Sequence, residues 1–175
     1  MPNRRDLFRF GALSLGALSA ALVTVPGVRF LLGPLGKAPA GQTLQPLTRL
    51  GQLKVGEPQA FAIIDERRDA WVRYPREPVG SVWLVRQPEG ANPPVLAFSA
   101  ECPHLSCPIN LGPDRKGFLC PCHGARFTFS GAKDNAVSPR GMDSLPVELS
   151  EEADPEVLVR FERYQPQLAE KKPLA

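Results

Sequence analysis

All 4 cysteines and both histidines of this chain fall between residues 102 and 123. They form two short segments that the fold has to bring together, Cys102-Pro103-His104-Leu105-Ser106-Cys107 and Cys120-Pro121-Cys122-His123-Gly124. Thiolate and imidazole groups are the side chains that soft and borderline transition metals prefer. Because the chain places every one of them in one neighbourhood, we predict a single site there, and we expect that site to determine what the protein does.

Each segment offers one cysteine and one histidine at close spacing, and a second cysteine stands beside each pair. Two sulfur ligands on one iron and two imidazole nitrogens on the other form the ligand set of a Rieske [2Fe–2S] centre. The two segments resemble the cluster-binding boxes of Rieske iron–sulfur proteins, residue by residue. The resemblance implies that Cys102 and Cys120 hold one iron of a [2Fe–2S] cluster. It also implies that His104 and His123 hold the other iron.

The remaining cysteines, Cys107 and Cys122, correspond to a pair that forms a disulfide in the quinol-oxidising branch of the Rieske family. The resemblance implies the same bond here. Such a crosslink would keep the two segments together, because a disulfide that closes about 15 residues contributes on the order of 3 kcal/mol. Gly124 follows the last ligand and allows the backbone to come close to a bulky inorganic group.

A structural zinc site is the alternative, because cysteine and histidine are zinc ligands as well. Zinc takes four ligands, and its common sequence sign is a pair of Cys-x-x-Cys or His-x-x-x-His elements. Neither segment contains a Cys-x-x-Cys element, and the candidate side chains, 4 cysteines and 2 histidines, exceed the needs of one zinc ion. These two observations favour the cluster.

The formal charge of +3 does not describe the main part of the chain. Residues 1–37 hold 5 of the 21 basic residues and 1 of the 18 acidic residues, which leaves 16 basic and 17 acidic side chains for residues 38–175. A body that is nearly neutral offers no basic face. We therefore expect no nucleic-acid partner.

The N-terminus combines two arginines, Arg4 and Arg5, with an uncharged run from residue 10 to residue 28. As a helix with a rise of about 1.5 Å per residue, this run would be roughly 28 Å long, close to the thickness of a bilayer core. Basic residues before such a span keep their end in the cytoplasm. The main domain is therefore predicted to lie outside, on the periplasmic side of a bacterial inner membrane, where a disulfide can form.

The two arginines and the apolar pair Leu7 and Phe8 resemble a twin-arginine export signal, although Asn3 stands where that signal has Ser or Thr. We predict that residues 1–32 are retained as a single-pass membrane anchor. The alternative is a cleaved signal peptide, with the Ala-Pro-Ala sequence at residues 38–40 as its cleavage site.

The rest of the chain is predicted to form a hinge, a head and a tail. Residues 33–42 are rich in Gly, Pro and Ala and predict a flexible hinge, residues 43–165 predict the head, and residues 166–175 predict a solvated strand exit or a disordered tail. Short β-type runs separated by turn residues predict an all-β, antiparallel head; they cover residues 61–65, 70–74, 81–86, 95–99, 117–119, 126–129, 144–149 and 157–161. The resemblance implies a small Rieske domain with a cluster-binding subdomain.

An anchor, a hinge and a cluster-bearing head together resemble the iron–sulfur subunit of cytochrome bc-type complexes. That resemblance implies a redox subunit that is not catalytic alone. It would accept an electron and a proton from quinol, beside a cytochrome b-type subunit, and pass the electron to cytochrome c or an equivalent acceptor. The hydrogen bond with quinol would fall to His123, with His104 at the same tip. Leu105 matches an apolar residue that lines the quinol contact, and local packing is its alternative role.

Two positions depart from the high-potential members of that family, because Ala125 and Phe127 stand where those members carry a serine and a tyrosine. In the family, both hydroxyls bond to cluster sulfur and favour the reduced state. Without them the reduced state loses about 1–2 kcal/mol per bond, which is roughly 40–90 mV each for one electron. We therefore expect a low midpoint potential and a menaquinol-like substrate. Pro139, within residues 138–143, matches the proline loop that covers the cluster.

A second function fits many of the same features, namely the small Rieske subunit of a periplasmic molybdenum oxidase of the arsenite-oxidising kind. That family shares the twin-arginine signal, the extra cysteine pair and the absence of hydroxyls at the two positions above. The uncharged span and the hinge favour the quinol:cytochrome c reductase. A Rieske ferredoxin or oxygenase domain is disfavoured, because the second cysteine pair and the export signal both argue against it.

Overall fold

The computed structural model describes residues 3–33, 44–69 and 72–174. The chain divides into two compact units, the first with residues 1–38 and 68–73 and the second, the head, with residues 39–67 and 74–175. Most of the predicted hinge lies outside the described residues, and so do the alternative cleavage site and the first two residues of the strand predicted at 70–74.

The first unit contains the helix α1 (Arg4–Leu32), which begins where the amides of Asp6 and Leu7 donate to the Asn3 carbonyl at 2.9 and 3.1 Å. Asp6 lies in the first turn and Arg29 in the last, which suits the partial charges at the two helix ends. None of its residues is buried, and its apolar window has a mean hydropathy of 1.7. The predicted apolar helix is confirmed. By length and composition it can cross a membrane, and a signal sequence has the same two properties.

After α1, the described residues form nine strands, with a single turn of 3-10 helix (Leu50–Gln52) after the first of them. In chain order the strands are β1 (Leu44–Arg49), β2 (Pro58–Asp69), β3 (Val72–Arg86), β4 (Val95–Ser99), β5 (Asn110–Leu111), β6 (Phe118–Cys120), β7 (Ala125–Phe127), β8 (Val147–Leu149) and β9 (Glu156–Arg160). They form three sheets, with the strand orders β1-β9-β8, β2-β3-β4 and β5-β6-β7. The β1–β9, β8–β9, β3–β4, β5–β6 and β6–β7 pairs are antiparallel, so the predicted all-β antiparallel head is confirmed.

The sheet β2-β3-β4 carries apolar side chains on both faces, and each face lies against a separate core. Val82 and Leu84 of β3 are buried in the first core, together with Val157 of β9. Trp83 and Val85, which alternate with them along β3, are buried in the second core. Successive side chains of a strand point to opposite faces, so a strand that is covered on both sides requires an unbroken apolar run. The second core joins this sheet to β5-β6-β7, the sheet of the predicted site.

Trp83 connects the central sheet to the sheet of the predicted site. Its ring packs on Phe118 with centroids 5.2 Å apart, and its Nε1 donates a 2.9 Å hydrogen bond to the Ile109 carbonyl. Phe118 also contacts Phe129 edge-on, with centroids 5.5 Å apart. Because Ile109 closely follows Cys107, this bond fixes the chain where it leaves the first predicted ligand segment.

The sequence pattern does not predict β1 and β5. Strand β1 contains Pro46, which has no amide for the ladder, and its register with β9 shifts between Pro46 and Thr48. Strand β5 has only 2 residues, too few for an alternating pattern. The runs predicted at 61–65 and 81–86 lie within the longer strands β2 and β3.

The C-terminal end, predicted as a solvated strand exit or a disordered tail, makes backbone hydrogen bonds. The Gln165 amide donates to the Lys172 carbonyl, and the Leu174 amide donates to the Arg163 carbonyl, both at 2.8 Å. The side chains of residues 167–174 are exposed, which is why their composition predicts a solvated tail. Its backbone hydrogen bonds leave no trace in the residue types.

Candidate metal centre

Residues 120–124, which we call the second ligand loop, join β6 to β7 in a tight hairpin whose register pairs Cys120 with Ala125. The Gly124 amide donates to the Cys120 carbonyl at 3.0 Å, and Gly124 has a φ of 73°. This left-handed backbone conformation favours glycine. An added Cβ would meet no described protein atom within 4 Å, so the backbone angle explains this glycine and crowding within the protein does not.

The side chain of Asn135 supports the second ligand loop. Its Nδ2 donates to the Gly124 carbonyl at 2.8 Å. Its Oδ1 accepts hydrogen bonds from the amides of Arg126 at 3.2 Å and Val137 at 3.4 Å. One side chain therefore satisfies three backbone groups next to the ligand residues. Sequence reasoning misses Asn135, because an asparagine in a turn region is ordinary.

Residues 102–107, the first ligand loop, follow β4 and do not join two paired strands. The loop closes on itself, because the Cys102 amide donates to the Cys107 carbonyl at 2.8 Å and the Ser106 amide donates to the Cys102 carbonyl at 2.7 Å. An isolated bridge between Glu101 and Pro108 lies at its base. Ser106 has a φ of 55°, which is uncommon for a residue other than glycine.

A disulfide between Cys107 and Cys122 joins the two ligand loops, with Cα atoms 6.6 Å apart, as the resemblance implies. The Cys120 sulfur lies within 4.8 Å of both sulfurs of this bond, so three sulfurs are grouped together. Cysteine binds a metal as a thiolate, and the sulfurs of a disulfide are not thiolates. The grouping is therefore not a three-thiolate site, and Cys102 and Cys120 remain as the sulfur donors.

Cys102 and Cys120 are buried, each with 2% exposure. Burial raises the pKa of the Cys102 thiol from 9.0 to about 11, against the hydrogen bond from the His104 backbone, which lowers it, and with a further rise from Cys120. The two thiols belong to the same core. At neutral pH the free protein keeps the Cys102 thiol protonated, so a metal that binds there displaces a proton.

His104 and His123 lie next to each other at the surface. Their ring centroids are 4.8 Å apart, and the rings meet edge to face at 82°. His104 is half-buried and His123 is exposed. Leu105 beside them is 43% exposed, a large apolar side chain in contact with solvent. Each ligand loop therefore carries one buried thiol and one imidazole nearer to the surface.

Ala125 and Phe127 are fully buried in β7, in the same core as Cys102 and Cys120. Directly paired residues of an antiparallel ladder have Cβ atoms about 4.5–5.5 Å apart on one face, so Ala125 lies beside Cys120. Phe127 occupies the next position on that face. The nearest hydroxyls along the chain, those of Thr128 and Ser130, bond to each other at 2.8 Å.

Residues 138–143, which we call the proline loop, pack on the second core through Met142, whose amide donates to the Gly131 carbonyl at 2.8 Å. Pro139 is half-buried. The loop also contains a buried ion pair that sequence reasoning misses, between Arg140 and Asp143. Opposite charges three residues apart are the only sequence sign of this pair, and exposed pairs share that sign.

The family model of the Rieske [2Fe-2S] domain matches residues 43–146. The chain is 29% identical over 140 residues to the menaquinol:cytochrome c reductase iron–sulfur subunit of Bacillus subtilis, with 78% of this chain and 80% of that protein covered. It is 25% identical to the cytochrome b6-f complex iron–sulfur subunit 2 of a Nostoc species, with 86% and 82% covered. Among solved structures, the plasma membrane Rieske protein PetC3 of Synechocystis aligns with a TM-score of 0.44 at 22% identity, over 67% of this chain and 99% of that one.

Proposed function

This chain belongs to the Rieske [2Fe–2S] domain family, whose model matches residues 43–146, and we propose that it is the electron-transfer subunit of a membrane-bound quinol:cytochrome c reductase. The observation that carries the proposal is the disulfide between Cys107 and Cys122, with an exposed histidine beside it. Two relatives named for menaquinol:cytochrome c reductase and the cytochrome b6-f complex support it, because both names denote iron–sulfur subunits of cytochrome complexes.

The side chains of the two loops suit a [2Fe–2S] cluster, which supplies one-electron redox chemistry when bound. We assign Cys102 and Cys120 to one iron and His104 and His123 to the other. With the disulfide formed, two thiols and two imidazoles remain, a number that a zinc ion would also accept. The ligand count therefore does not distinguish the two groups, and the family match favours the cluster.

We assign the proton of the reaction to His123. If His123 held an iron through one ring nitrogen, its other nitrogen would remain available for a hydrogen bond, and the charge of the metal would favour release of the proton there. Exposure of His123 allows a quinol oxygen to reach it. The exposed Leu105 beside it provides an apolar surface for the quinone ring.

A low midpoint potential is part of the proposal. Ala125 lies beside Cys120 and offers no hydroxyl, and Phe127 at the next position offers none either. The hydroxyls of Thr128 and Ser130 are bonded to each other. Fewer hydrogen bonds to cluster sulfur disfavour the reduced state. This agrees with menaquinol, the substrate in the name of one relative.

We further propose that α1 anchors the chain in the inner membrane of a bacterium, with its N-terminus in the cytoplasm and the head on the periplasmic side. The arginines at the start of α1 support this orientation, because basic flanks stay in the cytoplasm. The partners would be a cytochrome b-type subunit and a cytochrome c or an equivalent acceptor.

Purification of the full-length chain from detergent-extracted membranes tests the proposal. We expect a reduced sample to give the electron paramagnetic resonance signal of a Rieske cluster and a b-type cytochrome to co-purify. Co-purification with a molybdopterin protein would support the molybdenum oxidase instead. A colourless protein with zinc and no acid-labile sulfide would contradict the assignment of the cluster. Protease treatment of oriented vesicles would report the side of the head, and the mass of the mature chain would report whether α1 is retained.

A further inference from the structure

Residues 163–174, which we call the C-terminal strap, form a closed loop at the end of the head. An isolated bridge pairs Tyr164 with Pro173, and hydrogen bonds of 2.8 Å from Gln165 to Lys172 and from Leu174 to Arg163 lie on either side of it. Tyr164 anchors the strap, because its side chain is 6% exposed and belongs to the first core.

The C-terminal strap contacts the first ligand loop. The Gln167 amide donates to the Pro103 carbonyl at 2.8 Å, and Pro103 stands between the proposed ligands Cys102 and His104. At the base of the loop, the guanidinium of Arg163 bonds the Glu101 carboxylate at 2.8–2.9 Å. The strap therefore contacts the residues directly before and after Cys102, one of the two proposed sulfur ligands.

The C-terminal strap also contacts the proline loop, through Arg140. The guanidinium donates two hydrogen bonds of 2.8 Å to the Asp143 carboxylate and a third, of 2.6 Å, from Nη1 to the Leu168 carbonyl. The two side chains are only 9% and 6% exposed. A buried ion pair is unfavourable unless its remaining donors are satisfied, and the strap satisfies one of them. The Asp143 carbonyl accepts from the Ser99 amide of β4 at 2.8 Å, which ties the pair to the central sheet.

We propose that Arg140 is a positioning residue that acts through the C-terminal strap, holding Pro103 and with it the ligands of the first ligand loop. The connection runs from β4 through Asp143 and Arg140 to the strap, and the adjacent Leu168 and Gln167 carry it to the loop. This inference rests on the proposed function, because it takes Cys102 and His104 as cluster ligands.

Arg140→Gln removes the positive charge and the paired N–H donors of the guanidinium. Arg140→Lys keeps the charge but cannot make both hydrogen bonds to the Asp143 carboxylate. Groups that orient metal ligands typically change metal affinity by roughly 10–100-fold when they are removed. We expect the full-length, cluster-loaded Arg140→Gln protein to lose its cluster to a chelator about tenfold faster than the wild type, with Arg140→Lys in between. Lys54→Gln is the matched control, because Lys54 pairs with Glu57 at the same spacing but is 74% exposed. Lys54→Gln should leave the rate of cluster loss unchanged.

Visible absorbance and acid-labile sulfide report the rate of loss, and electron paramagnetic resonance reports the ligand geometry at the iron bound by histidine. Deletion of residues 167–175 provides a second variant if Arg140→Gln does not fold. We expect both to broaden the resonance signal and to lose the cluster faster. When they are combined, the effect on cluster loss should be no larger than that of the stronger single change, because both remove the contact between Arg140 and the strap.

The inference is overturned if Arg140→Gln and the deletion behave like Lys54→Gln, or if their effects on the rate multiply. Either result would leave the proposed function intact as long as the wild type holds the cluster. A wild-type protein without a cluster would instead overturn the proposed function, and the inference with it.

Discussion

The two ligand loops carry the same kinds of side chain but are held in different ways. The second ligand loop lies in the hairpin of β6 and β7, and its supports, including Asn135, come from the same short stretch of chain. The first ligand loop is closed at its base by an isolated bridge between Glu101 and Pro108, and the C-terminal strap contacts it as well, through groups such as Arg163, which lies 62 residues from its partner Glu101. Two ligand segments with the same kinds of side chain can therefore be held in place by different parts of the fold.

This difference has energetic consequences. Contacts between groups close in sequence form with little loss of chain entropy, whereas contacts between distant groups require the intervening chain to be folded first. The first ligand loop should therefore respond to changes in the whole head, and the second to changes in its own backbone. The disulfide connects the loop with distant support to the loop with local support.

The largest effect is expected from removal of that disulfide. Cys107→Ser combined with Cys122→Ser should lower the free energy of unfolding by about 3 kcal/mol, because the bond limits the entropy of the unfolded chain. Denaturant titration measures this loss. Hydrogen exchange should rise more in residues 102–107 than in residues 120–124, since only the second loop connects two strands of one sheet. Chemical reduction of the wild type is the control and should give the same pattern, whereas an equal rise in both loops would contradict the comparison.

A smaller effect is expected from the backbone of the second ligand loop. Gly124→Ala places a Cβ on a residue with a φ of 73°, and Gly56→Ala does the same at a φ of 75° away from the ligand loops. Neither Cβ would meet a described atom, so both substitutions should destabilise the head by the same amount, about 1–2 kcal/mol. Only Gly124→Ala should also accelerate loss of the cluster to a chelator. Equal cluster loss from the two variants would mean that general destabilisation, and not the loop, controls retention.

The local patterns of the sequence explain why much of the fold is predictable. The apolar runs in β3 and β4 are visible because both faces of their sheet are covered, and the ligand segments are visible because few residue types bind iron. The contacts of the C-terminal strap with Pro103 and Arg140 are not visible, because backbone groups of Gln167 and Leu168 make them. Any residue has those groups, so the residue types contain no signal.

The parts of the candidate site also differ in whether the sequence predicts them. The pair of Cys107 and Cys122 follows from the resemblance, and the structure contains it. The local sequence does not predict that Arg140 and Asp143 are buried. A pair of opposite charges three residues apart has the same sequence pattern whether it is exposed or buried. The distant strap that helps to cover the pair is what distinguishes the two cases.

The midpoint potential provides a comparison that does not depend on stability. Ala125→Ser places a hydroxyl beside Cys120, in the second ligand loop, and should raise the midpoint by roughly 40–90 mV, which corresponds to about 1–2 kcal/mol. Phe127→Tyr should act in the same direction. Ala97→Ser is the matched control, because Ala97 is also buried but lies in the first core. Redox titration of the cluster-loaded proteins measures the midpoint potential. A midpoint that is unchanged by Ala125→Ser would show that this hydroxyl does not reach a cluster sulfur.

The smallest effect is expected from Asn135→Ala, which leaves the Gly124 carbonyl and the Arg126 amide without their partner. Because the site is only partly buried, water replaces some of these bonds, and the loss should be about 1 kcal/mol. Gln52→Ala is the control, since Gln52 accepts an exposed hydrogen bond from Thr48 at 2.8 Å, away from the ligand loops. It should leave cluster retention unchanged.

Asn135→Ala also tests whether the two loops have independent supports. Combined with deletion of residues 167–175, its effect on the free energy of unfolding should add to that of the deletion within about 0.3–0.5 kcal/mol, because the two supports share no residue. Denaturant titration of the four proteins of this cycle measures the coupling. A coupling well above that limit would mean that the disulfide transmits strain between the loops, and that the cluster site responds as one unit despite the different origins of its two halves.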